Sequence, residues 1–67
     1  MNNQNQEEIK IIIQVTFAEP MNNKTSVVLY EYDFCEGDRA KNKYYELSKN
    51  DCQYQSTDIS IVHKHNQ

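Results

Sequence analysis

A single glycine, a single proline, no tryptophan and only two cysteines stand in this chain of 67 residues. So little glycine and proline excludes collagen-like, proline-rich and flexible-linker sequences. Two cysteines, Cys35 and Cys52, are too few for the disulfide framework of a small secreted scaffold. Both are expected to be reduced packing residues in a cytosol. Nowhere do the roughly 18 apolar residues of a membrane span run together, and the polar start from Met1 to Glu8 lacks the apolar stretch of a signal peptide. A cytoplasmic protein without membrane contact is expected, in the host cell if a phage encodes it. An excess of cations is missing too: 7 Lys plus Arg face 10 Asp plus Glu, for a net charge of -3. An acidic whole repels phosphate and disfavours nucleic-acid binding by the entire surface.

What is present is enough for one core and no second domain. A core this small supplies only a few kcal/mol, so a staple, a metal or a partner is usually needed, and a homodimer is expected. Residues 1–8, polar after the initiator Met, read as a disordered tail, residues 9–65 as a single domain and residues 66–67 as a second short tail.

Within the domain, Ile9, Ile11, Ile13, Val15 and Phe17 alternate with Lys10, Ile12, Gln14 and Thr16. That period of two, carried by β-branched residues, marks a strand with one buried face. Pro20, Asn22 and Asn23 then mark a hairpin loop of about eight residues. A second strand over residues 26–34 puts Val28, Tyr30, Tyr32 and Phe34 on one face and Val27, Leu29, Glu31 and Asp33 on the other. The apolar faces coincide when Ile13 opposes Tyr30 and Val15 opposes Val28.

Gly37 breaks the strand pattern, and Asp38 can cap a helix from Arg39 to about Lys49, with Asn50 as a left-handed C-cap. Its apolar stripe is Ala40, Tyr44 and Leu47. A third strand follows over residues 57–64, where Ile59 and Ile61 alternate with Asp58, Ser60 and Val62, and residues 52–56 leave room for a further short one. The expected fold is α+β, in the order β-β-α-β: an antiparallel or mixed three-stranded sheet, strand one in the middle, with the helix on the face of Ile11, Ile13, Val15, Tyr30, Tyr32 and Ile61.

No constellation of catalytic residues is legible. Cys35, Cys52, His63 and His65 lack the close ligand pairs of a structural zinc site, and no motif flanks Cys35 as it would a thiol nucleophile paired with His63. The expectation is no enzyme, no metal and no cofactor. Three surfaces remain as candidates. Ile12, Val27, Leu29 and Val62 make an aliphatic patch on the uncovered sheet face, larger than monomers usually expose. Glu31, Asp33, Glu36 and Asp38 form an acidic edge that, with Asp51 and Asp58, would meet a basic partner. Arg39, Lys41, Tyr45 and Lys49 line one side of the helix, as in a small dimeric nucleic-acid-binding regulator.

Size, acidity and the lack of chemistry point first to a protein-binding module. The class they suit is an inhibitor from a phage or mobile element, of anti-CRISPR type, occupying the surface of a host defence complex such as a nucleoprotein.

Overall fold

A computed structural model describes residues 7–65, with the side chains of Glu7 and His65 left aside. It holds strand β1 (Glu7–Glu19), strand β2 (Lys24–Asp33), a 3-10 turn (Phe34–Glu36), helix α1 (Gly37–Ser48) and strand β3 (Gln55–His65). The sheet is antiparallel throughout, in the order β2-β1-β3. The most apolar strand therefore has two neighbours. Ile13 opposes Tyr30 and Val15 opposes Val28, as the coincidence of apolar faces required. On the other side Ile11 opposes Ile61, and Ile13 opposes Ile59.

The core is narrow. Ile11, Ile13, Val15 and Ala40 are its buried apolar side chains, with Tyr30, Tyr32, Tyr44 and Leu47 packed around them. Ala40, Tyr44 and Leu47 are the stripe that the helical spacing picked out. Ala40 has the smallest side chain of the three, which lets α1 approach β1 closely over Ile11 and Ile13. Lys43 lies beside this contact, its Nζ 5.3 Å from the centre of the Tyr30 ring, and covers the β2 side with a cation–π contact.

Several boundaries differ from the sequence reading, each for a local reason. Pairing carries β1 and β2 to Glu19 and Lys24, so the loop shrinks from about eight residues to a turn over residues 20–23. Asn23 closes it at φ 54°, a left-handed conformation that asparagine tolerates. Glu7 and Glu8, assigned to the tail, belong to β1 through pairing with β3. The remaining tail positions, residues 1–6 and 66–67, lie outside the described residues.

Phe34, expected on the buried face of the second strand, falls in the 3-10 turn and is exposed, because β2 ends at Asp33. Helix α1 starts two residues before Arg39. Its lead-in turn is tied by the Asp33 N–H donating to Glu36 Oε1 at 3.2 Å, so Asp38 lies inside the helix rather than at its cap. Gly37 is helical and has no positive φ. A Cβ there would meet Ile11 Cδ1 at 4.0 Å, ordinary contact. Gly37→Ala is accordingly expected to stabilise the chain by about 0.5 kcal/mol through the unfolded state, measurable as a raised urea midpoint. At the other end α1 finishes with Asn50 N–H donating to Leu47 O and Asp51 N–H to Ser48 O, both at 3.1 Å. These tighter bonds satisfy the last carbonyls, so Asn50 does not take the left-handed cap expected of it.

Residues 52–55 form a tight return rather than a further strand, with the Cys52 N–H donating to Gln55 O and the Gln55 N–H to Cys52 O. Both cysteines are unbridged and exposed, not packed. Among the described residues no helix is long and apolar enough to cross a membrane.

Ile61 is the largest departure. It lies on the helix side of the sheet but stays 60% exposed. A helix of 12 residues is about 18 Å long, whereas the 13 residues of β1 extend about 43 Å, so α1 covers only part of the sheet.

Candidate interaction surface

On the face away from α1, β1 presents Lys10, Ile12, Gln14 and Thr16. β2 adds Val27, Leu29, Glu31 and Asp33 there, and β3 adds Asp58, Ser60, Val62 and Lys64. Cross-strand register decides how the aliphatic side chains meet. Ile12 sits directly between Glu31 and Ser60, with Leu29 and Val62 as its diagonal neighbours. The four candidate residues therefore make a slanted stripe from Val27 through Leu29 and Ile12 to Val62. Its two ends differ: Ile12 and Val62 are half-buried, while Val27 is 51% and Leu29 60% exposed.

Ion pairs border the stripe. Lys64 Nζ reaches across β1 to Glu31 Oε2 at 2.6 Å, and Lys10 Nζ donates to Asp33 Oδ1. Since β1 lies between the partners of the first pair, the Lys64 side chain extends over the open face of the sheet. The hydrogen bond and charge of Lys64 hold the Glu31 carboxyl below its ordinary pKa. The hydrogen bond that Lys10 donates to Asp33, more than the Asp33 charge, raises the pKa of Lys10.

The sign for stability follows from Glu31. A carboxyl whose pKa is lowered on folding contributes stability that is present above its unfolded pKa and lost as pH falls through the folded value. Carbon-detected titration is expected to show Glu31 protonating at lower pH than an ordinary glutamate. Lys64→Met should return it to the ordinary range. An unmoved Glu31 in that variant would show that the pair does not form in solution.

The acidic edge is thereby redistributed. Glu31 and Asp33 face the open side, each on a lysine, and Glu36 holds Arg39 Nη1 at 2.7 Å in the lead-in to α1. Asp38 is exposed in the first turn of the helix. Asp51, grouped with these charges, turns inward instead. Its carboxylate accepts the Thr57 hydroxyl at 2.6 Å and the Thr57 N–H at 3.2 Å, and Thr57 is buried.

Lys41, Tyr45 and Lys49 are exposed along one side of α1, with the rings of Tyr44 and Tyr45 tilted at 59° to each other and their centres 5.7 Å apart. Arg39 lies apart from them, in a polar cleft of about 350 Å³ between α1 and β2 lined by Tyr32, Arg39, Asn42, Lys43 and Glu46.

Cys35 falls in the 3-10 turn after β2, and His63 lies on β3, with β1 between the two strands. Among the described residues no three His, Cys, Asp or Glu side chains gather where a metal ion could be held.

Sequence reasoning missed one surface. Ile59 and Ile61, with Ile11 and Ser60, line an apolar groove of about 400 Å³ beside α1. The alternation of the two isoleucines was visible; that the helix stops short of them was not.

No family model, curated protein or solved structure matches the chain.

Proposed function

We propose that this chain is a non-enzymatic protein-binding module that acts by occupying a partner's surface through the stripe of Val27, Leu29, Ile12 and Val62. The observation that carries this reading is the exposure of Val27 and Leu29 on a sheet face that no element of the described chain covers. An apolar centre bordered by polar and paired charged groups, here Lys64 with Glu31 and Lys10 with Asp33, has the anatomy of a protein interface. Size and net charge support the narrower class, an inhibitor from a phage or mobile element, of anti-CRISPR type, acting on a host defence complex in the host cytoplasm.

The test is affinity capture from the native host, followed by titration of the enriched protein against wild type and Val27→Glu/Leu29→Lys. Exposed anchors of this kind carry about 1–2 kcal/mol each, so the double variant is expected to bind at least tenfold more weakly. Equal binding by both proteins would move the contact off this face. The narrower class is tested by expressing the chain beside a defence nuclease: unchanged target cleavage removes it.

The exposed Lys41, Tyr45 and Lys49 favour a second reading, a nucleic-acid-binding regulator. Few cations under a net negative charge predict weak, salt-sensitive binding. A mobility-shift titration at low salt with no shifted band would discard it.

A further inference from the structure

The outer edge of β3 carries a second surface, independent of the stripe. At the start of that edge the residues before β3 fold back on it: Gln55 is bridged to Cys52, and the Thr57 N–H is held by Asp51. These bonds set the phase of the strand. Gln55 and Thr57 direct their backbone donors away from β1, whereas the Tyr54 carbonyl accepts the Ala18 N–H from β1 at 2.9 Å. By alternation Ile59 and Ile61 turn their N–H and C=O groups to the outer edge, where no strand of the described chain pairs with them. Their side chains, 41% and 60% exposed, line the apolar groove. An open edge beside an apolar groove is a template for another strand.

We propose that the occupant is a second copy of this chain, its β3 pairing antiparallel with this one about a twofold axis perpendicular to the sheet. The result is a continuous six-stranded sheet with both helices on one face. Under such an axis opposed residues share a face, so an odd position meets an odd one and an even position an even one. One register satisfies both charge and backbone. With Ile61 opposite the partner's Ile61, Asp58 stands opposite the partner's Lys64 and Lys64 opposite the partner's Asp58. Ile59 then faces the partner's His63, and the contact lies beyond Thr57, whose N–H is already taken.

The Lys64 ammonium stays on Glu31, and its positive charge attracts the partner's Asp58 across the seam without a direct bond. The other free edge, β2, has no equivalent. Its cation Lys24 lies on the helix side and its carboxylates Glu31 and Asp33 on the open side, so no register of that symmetry joins them.

Sedimentation equilibrium of the intact chain is expected to give twice the 8.0 kDa chain mass. Ile61→Lys, which sets two like charges on the axis, should leave monomer alone. Asp58→Lys, which opposes lysine to lysine twice, should raise the dimer dissociation constant roughly tenfold. Leu29→Lys, on the far edge, should change nothing, and circular dichroism checks that each variant is folded. If Ile61→Lys does not fold, air oxidation of Cys35→Ser/Cys52→Ser/Ile61→Cys decides, since residues on the axis come within disulfide reach. Covalent dimer supports the register, and its absence overturns it. A monomeric wild type, or a dimer weakened only by Leu29→Lys, overturns the proposal. The mass is read without any host protein, so failure here and failure of the protein-binding reading are separate results.

Discussion

Replacing Ile13 with Ala is expected to destabilise the isolated chain by about 3 kcal/mol and to leave much of it unfolded at room temperature. Ile13 is fully enclosed at the centre of the middle strand, between Tyr30 and Ile59 and under Ala40 of α1. Removing its branched side chain loses the transfer free energy of the missing carbons and opens a cavity that a sheet held from both sides cannot collapse around. The magnitude matters because of size: a domain this small holds only about 3–5 kcal/mol in total. Circular dichroism during urea denaturation measures it. Ile12→Ala, one residue away but on the open face and half-buried, should lose about 1 kcal/mol. Equal losses at the two positions would contradict the facing of β1.

The second large effect is expected at Asp51. Its carboxylate takes both the hydroxyl and the N–H of buried Thr57 and so pins the return after α1 to the start of β3. Asp51→Ala strands two donors at once. A bond to a charged acceptor contributes about 1.5–3 kcal/mol, and a loss of about 2 kcal/mol is expected. Asp51→Asn, which keeps one good acceptor, should lose about half as much. Comparison of urea midpoints for the two variants checks this. Amide hydrogen exchange at Thr57 should accelerate in both. No change in either would show that water replaces the carboxylate at little cost.

Neither effect concerns binding, and this separates fold from function along β1. Ile11, Ile13 and Val15 are consumed by the core. Ile12, one step out of phase, is spared for the stripe. The fold was legible in the sequence because its strongest signals are local. Alternation from Ile9 to Phe17, alternation around Tyr30 and the spacing of Ala40, Tyr44 and Leu47 each specify an element, and matching apolar faces sets the pairing of the first two strands. The element ends were less legible. Pairing extends strands past their apolar stretch into Glu7, Glu19 and Lys24, and backbone hydrogen bonds, not side-chain preference, decide where that stops.

Of the candidate surfaces, position on a face was readable and state was not. That Glu31 and Asp33 lie beside the aliphatic stripe follows from parity along β2. That Lys64 crosses β1 to reach Glu31 depends on strand order and on a register between strands far apart in sequence. Asp51 shows the same limit, since an acidic residue after a helix carries no mark of an inward bond to Thr57.

By itself, then, the sequence determined three strands, one helix, their order and which side chains share a face, because periodicities of 2 and 3.6 are properties of the backbone. Only the tertiary structure decided how far α1 reaches over the sheet. A helix rises about 1.5 Å per residue and a strand about 3.3 Å, so a short helix on long strands must leave part of its own side uncovered. The uncovered part includes Ile59 and Ile61 at the edge of β3, and Phe17 and Val28 toward the hairpin, which the alternation had placed on the buried face.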